Sequence, residues 1–313
     1  MLPALNQSIK LSNGINMPLF GLGTWQAQSG EIKKALKIAL DNGYRLIDTA
    51  KIYGNEKEIG EVLKEYFSLG KLVRDDVFVT TKLWCTHNKP TFIESELKNS
   101  LKRLQLNYVD LYLVHFPTCF NNSGTKFDTS VTIEDTWRGM EKVYEKGLTK
   151  AIGVSNFSNE QIERIMKIAK IPIHNSQVEV YLYWPQYEHH ECCKKYNISL
   201  TAYAPIGSPG RVNYSAINWG KTIDVLEDEI VAKMGKKYKK TPAQILLRHL
   251  IQREISVIPK SSNEQRIIEN SQIFDFELSN DDMTTLNNIS TRQRLFKQEF
   301  MIGHPEDSFI KER

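Results

Sequence analysis

Short apolar runs alternate with segments of helical periodicity along almost the whole chain. The runs at 19–23, 44–48, 77–83, 108–114, 150–154, 175–180, 199–203 and 255–258 have the length of strands buried on both faces. Between them, 30–41, 55–67, 90–104, 133–146, 158–170, 185–196 and 241–253 space apolar residues as a helix lying on a core requires. Some helix starts are marked. Pro90 follows Lys89 in a first turn, Thr241 precedes Pro242, and Ser262-Asn-Glu-Gln265 has the spacing of a capping box. Strand–helix repetition predicts parallel strands joined by crossover helices, and eight units fit a closed (β/α)8 TIM barrel better than an open sheet. An open doubly wound sheet would usually carry G-x-G-x-x-G after its first strand. Here Gly21-Leu22-Gly23 is followed by Thr24-Trp25-Gln26, which breaks that pattern at its last position.

Two further features complete the expected α/β architecture, one domain over 1–313. Asn13-Gly14 between short alternating segments predicts an N-terminal β-hairpin with a tight primed turn. The stretches 117–132 and 206–222 exceed normal connections, and long loops after barrel strands sit over the mouth at the strands' C-terminal ends.

Composition narrows the function. Of 313 residues, 41% are apolar and 25% charged, enough for a large core and unlike a disordered chain. The net charge of +4 comes from interspersed acids and bases, which argues against nucleic acid as a main partner. No apolar run has the ~18 residues of a membrane span. The start MLPALNQSIK lacks a secretory pattern, so the sequons at Asn6 and Asn197 carry no weight. Cys85, Cys119, Cys192 and Cys193 have no metal-binding spacing, and reduced thiols in a cytosol are the simplest expectation. No metal site is expected.

Chemistry gathers at the strand ends, which form the catalytic face of such a barrel. YRLID ends at Asp48, with Tyr53 five residues on. VFVTT leads to Lys82, VDLYLV to His115 and AIGV to Ser155-Asn156. Gln177 lies in the sixth strand, Tyr203 ends the seventh, and ISVIP leads to Lys260. Each has a plain structural alternative. Asp48 can cap a helix, His115 can be a satisfied core histidine, and Gln177 and Tyr203 can be ordinary packing. A lysine after a buried strand is harder to dismiss, because its ammonium needs an anion. The agreement of seven strand ends is the stronger signal. A phenol with an ordinary pKa near 10 is a weak acid, and a neighbouring ammonium would favour its phenolate. A carboxylate would orient that ammonium, and a histidine would polarise a carbonyl oxygen. Asp48, Tyr53, Lys82 and His115 therefore suit proton donation during carbonyl reduction, with the hydride coming from a cofactor.

GYRLIDTA at 43–50, Tyr53-Gly-Asn-Glu56 with Ile59-Gly60, TKLW at 81–84, LYLVHFP at 111–117, AIGVSNF at 151–157 and IPKS at 258–261 occur in order at barrel spacing. The chain thereby resembles the aldo-keto reductase family, with its aldose reductase-like branch the nearest match, from about residue 9 to the C-terminus. The resemblance implies NADPH across the C-terminal mouth and a small carbonyl substrate, in a monomeric cytoplasmic enzyme. It implies Tyr53 as general acid, tuned by Lys82 and Asp48, with His115 orienting the substrate. Ser155, Asn156 and Gln177 would hold the nicotinamide amide, and Tyr203 would stack on the ring. Lys260, Ser261 and Arg266 would meet the 2′-phosphate and Asn270 the adenine, with Thr24, Trp25 and Ser208 also at the cofactor. Trp25, Ile52, Trp84 and Phe116 would line an apolar substrate cleft.

Several positions depart from the branch. Phe116 stands where tryptophan is common, the loop 117–132 looks shortened, and the tail after 290 is rich in charge and lacks cysteine. Gln26 and Gly210 replace a Lys–Asp pair that latches the loop after strand seven, so that loop is expected to close less firmly unless Arg211 or the segment up to Lys221 holds it. Two other classes compete with a reductase. A cofactor-binding barrel with a structural or regulatory role is opposed by the intact Asp48, Tyr53, Lys82 and His115. A sugar-phosphate isomerase would want a glycine-rich phosphate loop and a carboxylate base, which IPKSS does not supply.

Overall fold

The protein was analysed as a computed structural model describing residues 7–313, so the sequon at Asn6 lies outside the described residues. The hairpin comes first: β1 (Ser8–Lys10) pairs antiparallel with β2 (Asn16–Pro18). Its turn differs from the one expected. Gly14 donates to the Leu11 carbonyl at 2.8 Å, and Gly14, but not Asn13, has a positive φ, +90°. A primed two-residue turn needs left-handed geometry at both central residues. The five residues joining these strands relieve Asn13 of it, and its Oδ1 accepts the Ile15 N–H at 3.2 Å instead.

The barrel follows in chain order: β3 (Gly21–Gly23), β4 (Leu46–Asp48), β5 (Phe78–Leu83), β6 (Leu111–Val114), β7 (Ile152–Ser155), β8 (Asn175–Glu179), β9 (Ser199–Tyr203) and β10 (Ile255–Val257), each parallel to the next. A parallel bridge between Phe20 and Val257 brings the last strand round to the first. The helices α1 (Glu31–Asp41), α2 (Glu56–Ser68), α3 (Pro90–Leu104), α4 (Ile133–Glu145), α5 (Asn159–Ile168), α6 (Tyr187–Lys195) and α8 (Pro242–Gln252) match the expected segments to within a few residues. Two helices were not expected, α7 (Glu229–Tyr238) and α10 (Asn280–Asn287), and α9 (Glu264–Ser271) was expected only from its start at 262–265. They are short and bury few apolar side chains, two in α7 and one each in α9 and α10, so their periodicity is faint. The cap of α8 is the expected one, with Thr241 and Gln244 exchanging side-chain bonds. That of α9 is not: Asn263, rather than Ser262, accepts the Arg266 N–H at 2.9 Å. Asn263 has the better placed oxygen, one residue nearer the helix.

Alternation along the strands separates two layers. Ile47, Val79, Tyr112, Val114, Ile152, Val154, Leu200 and Ala202 join the cluster shared with the helices. Leu46, Phe78, Leu111 and Leu113 join a smaller one with Leu11 and Met17 of the hairpin, at the strands' N-terminal ends. The same alternation sends Asp48, Lys82, Ser155, Gln177 and Tyr203 to the inner side, higher up. Gly153 sits where strands pack most closely. A Cβ there would lie 2.2 Å from the Asn175 carbonyl oxygen and 2.8 Å from Leu113 Cδ2. Gly153→Ala is expected to destabilise the barrel by about 1–3 kcal/mol, since backbone must move to admit the methyl. Chemical denaturation is the check, and an unchanged midpoint would contradict this account of the packing.

Candidate active site

Lys82 leaves β5 with no solvent contact at its side chain and meets Asp48 Oδ1 at 2.6 Å. An ammonium has three protons to place. Lys82 gives one to Asp48, one to the Thr49 carbonyl at 3.0 Å, and one toward the Tyr53 hydroxyl oxygen at 3.4 Å. The Tyr53 oxygen is thus engaged as an acceptor from below, and its own proton is free to point elsewhere. Asp48 Oδ2 accepts from Gln177 Nε2 at 2.8 Å. Tyr53 itself stands on a one-turn 3-10 helix, Lys51–Tyr53, immediately before α2.

The electrostatics correct one expectation. Lys82 does not bring the phenol down. Burial pushes the Tyr53 hydroxyl well above its ordinary value, and the Asp48 carboxylate and Tyr203 push the same way. Burial draws the Lys82 ammonium below its ordinary value, while Asp48 pulls it back up. His115 lies edge-on to Tyr53, with ring centroids 5.7 Å apart. Burial, and then the Lys82 charge, hold its imidazole well below the ordinary value. It is therefore neutral near pH 7, and its Nδ1 is buried without a partner.

Ser155, Asn156 and Tyr203 form a second hydrogen-bonded group. Tyr203 donates to Asn156 Oδ1 at 2.8 Å. Asn156 donates to the His115 carbonyl and to Ser155 Oγ, both at 3.0 Å. Asn156 also has a positive φ of 63°, an uncommon backbone for a non-glycine residue and one concentrated at functional sites. Ser155, an acceptor here, keeps its own proton. Gln177, a donor to Asp48, keeps its carbonyl oxygen. One free donor and one free acceptor side by side suit a carboxamide, so these residues fit a nicotinamide.

Other expected residues lie around this centre. Thr24 is buried and donates to the Asp48 carbonyl at 2.9 Å. Trp84 and Phe116 adjoin His115, at 5.3 and 4.9 Å between centroids. Ile52, on the Tyr53 turn, is 49% exposed and is a rim residue rather than a buried wall. Lys260, Ser261, Arg266 and Asn270 stand outside the hydrogen-bonded net, after β10 and on α9. The side chains of Lys260 and Arg266 are exposed. Ser208 precedes a 3-10 turn, Pro209–Asn213.

The pocket has residues that sequence reasoning missed. Phe300 stacks on Trp84 at 6.2 Å and meets Phe116 at 5.0 Å and Phe120 at 6.1 Å. Phe296 packs on Tyr203 at 5.5 Å and on Trp25 at 5.6 Å. Both lie in the charged tail, whose only signal was two phenylalanines four apart. The tail is held over the mouth because Glu179, fully buried, accepts the Leu295 and Phe296 N–H groups at 2.7 and 3.0 Å.

The loop after β9 has its own fastening. The buried Arg211 donates to the Gly207 and Ser208 carbonyls, at 2.8 and 3.1 Å, and to the Thr222 hydroxyl. Tyr214 and Trp219 lie against Trp25, at 5.8 and 6.5 Å. Gln26 meanwhile has a buried Nε2 without a partner. Arg211 thus ties the loop to itself, from Gly207 to Thr222, in place of the missing charged pair's bond across the mouth.

A model of the Aldo/keto reductase family matches residues 19–291. Aldo-keto reductase family 1 member A1 of Xenopus tropicalis is 43% identical over 296 residues, 91% of this chain and 89% of that protein. Its Homo sapiens counterpart is 41% identical over 298 residues, 91% of this chain and 90% of that one. A solved structure, the aldose reductase from Schistosoma japonicum, matches with a TM-score of 0.90 and 39% identity, covering 98% of this chain and all of the other. The likeness runs through the barrel and on into the tail that walls its mouth, and from it the chain belongs to the Aldo/keto reductase family.

Proposed function

We propose that this protein reduces aldehydes, and with them ketones or aldoses that fit, to alcohols at the expense of NADPH, with Tyr53 as proton donor. One observation carries this: a buried ammonium, saturated by a carboxylate and a carbonyl, gives its last proton to the Tyr53 oxygen. Bound NADPH would supply hydride to the carbonyl carbon. As negative charge develops on the carbonyl oxygen, the Tyr53 proton moves to it, and the phenolate left behind faces the Lys82 ammonium. A raised phenol pKa suits this role, because the acid stays loaded until an alkoxide, a stronger base, forms beside it. Neutral His115 orients the carbonyl oxygen without competing for its charge. Ser155, Asn156 and Gln177 would hold the nicotinamide amide. Lys260 and Arg266 would hold the 2′-phosphate near the start of α9, with Ser261, Asn270 and Ser208 along the rest of the cofactor. We assign the enzyme to the cytosol, where its four free cysteines stay reduced, acting as a monomer.

Tyr53→Phe keeps the ring and removes the proton. NADPH binding should persist while turnover falls by on the order of 100-fold or more, and Lys82→Met should also be crippled. Substantial turnover in Tyr53→Phe at neutral pH would overturn the assignment. An inactive wild type that still binds NADPH would point instead to a structural or regulatory barrel. The pH profile has a definite sign. With the phenol raised, its proton is lost only as pH climbs past about 10, and with the imidazole lowered, His115 charges only well below about 6.5. The single-turnover reduction rate should therefore be level between those limits, and an inflection near neutrality would contradict it.

NADPH should bind more tightly than NADH, since each charge-assisted contact to the 2′-phosphate is worth on the order of 1.5–3 kcal/mol. Neutralising both Lys260 and Arg266 should erase most of the difference in Kd, and equal wild-type affinities would exclude the contact.

The wall of Trp84, Phe116, Phe120 and Phe300 offers rings to a substrate tail and few hydrogen bonds. Benzaldehyde-type substrates should thus show higher kcat/KM than open-chain glucose or xylose, whose hydroxyls would lose water without replacement partners. A substrate panel corrected for free aldehyde decides this, and the opposite ranking would refute it.

A further inference from the structure

The 3-10 turn that carries Tyr53 has little backbone support of its own. Tyr53 N–H donates to the Ala50 carbonyl at 3.0 Å and Gly54 N–H to that of Lys51 at 3.2 Å, and Ile52 and Gly54 are exposed. Asn55 ties its far end down, donating to the Thr24 carbonyl at 2.9 Å and accepting from Thr49 at 2.7 Å. The near end is tied by Lys51. Its ammonium crosses to Glu96 Oε2 on α3 at 3.1 Å and to His87 Nδ1 at 3.2 Å, in the turn that follows Trp84.

The contact continues inward. Arg103 meets the other Glu96 oxygen at 2.9 Å and Glu56 at 2.6 Å, and Glu56 accepts from Thr81 at 2.6 Å. Thr81 is the residue before Lys82. A chain of charges thus begins two residues before Tyr53 and ends one residue before Lys82, with a branch three residues after Trp84. Its acids are deeply buried, with the Glu96 side chain 5% and the Glu56 side chain 1% exposed, and Arg103, which touches both, stays as a countercharge when Lys51 is replaced. Burial and then Lys51 hold the His87 imidazole below its ordinary value. It is neutral near pH 7 and accepts from the ammonium rather than rivalling it.

We infer that Lys51 is a positioning residue for the reduction: its ammonium, gripped by Glu96 and His87, fixes the Tyr53 turn relative to Lys82 and to the Trp84 wall. The role rests on Tyr53 being the proton donor. Lys51 touches no reacting atom, and a plain surface lysine on the same turn would leave the rate alone. Catalytic geometry is sensitive, however, and a shift of about 1 Å costs on the order of 100-fold.

The test compares Lys51→Met and Lys51→Arg with the wild type in single-turnover NADPH oxidation, NADPH Kd and thermal midpoint. Lys51→Met should lose on the order of tenfold in rate, with Kd and midpoint held, and Lys51→Arg should recover most of it. An unchanged rate in Lys51→Met overturns the inference. So does an equal loss in Lys51→Arg, or a loss that appears only with a fallen midpoint or a failure to fold, since the role would then be stability. Wild-type turnover separates this idea from its foundation. Its absence removes the reduction and this role together, whereas an active wild type matched by Lys51→Met removes the positioning role alone.

Discussion

A lysine ammonium without access to water has to be given an anion and three acceptors, and much of this barrel's upper half answers that demand. Asp48 supplies the charge from the neighbouring strand, Thr49 a carbonyl, and Tyr53 the last oxygen. Removing Asp48 alone would leave a buried charge, a loss on the order of 3–5 kcal/mol. Gln177 then saturates the remaining Asp48 oxygen from across the barrel. The site is therefore rigid for a thermodynamic reason: no member can turn away without stranding another. Rigidity of this kind is what lets one hydroxyl proton be aimed.

The parts of the molecule governed by strand alternation were legible in the sequence. Asp48, Lys82, Ser155, Gln177 and Tyr203 follow apolar strands, and parity sends them inward together. What escaped has a common character. Phe296 reaches the pocket from irregular chain and Phe300 from a single 3-10 turn, Glu299–Met301, so no sustained period links sequence to direction there. Asn263 displaced Ser262 because both are good caps and only the path of the backbone chooses between them. The upward push on the Tyr53 phenol depended first on its burial, with Asp48 acting in the same direction. Residue types alone show the charges and not the depth of burial. The Lys51 contacts were hidden for another reason, since Lys51, His87, Glu96 and Arg103 are far apart in sequence and none follows a strand in the way Lys82 does.

Burial and charge are also divided between the residues proposed for the two ends of the cofactor. The groups suited to the nicotinamide, Ser155, Asn156 and Gln177, are buried and belong to two adjoining hydrogen-bonded groups. The cations Lys260 and Arg266 are exposed. Under the proposed function this division makes sense: neutral recognition gains from exclusion of water, whereas cations that would meet a phosphate are cheaper to keep hydrated until it arrives.

The tail that completes the mouth is joined to the barrel in a particular way. Strand pairing ends at Val257, while Phe296 and Phe300 come some forty residues later and are fastened through Glu179, Arg294 and Glu312. The wall of the mouth is thus built by chain that takes no part in pairing the barrel strands. Lifting that wall would strand the fully buried Glu179 carboxyl, because its Leu295 and Phe296 N–H partners would leave with the tail. The wall of the pocket can therefore change with the sequence of the tail while the Asp48, Lys82 and Tyr53 group is left in place.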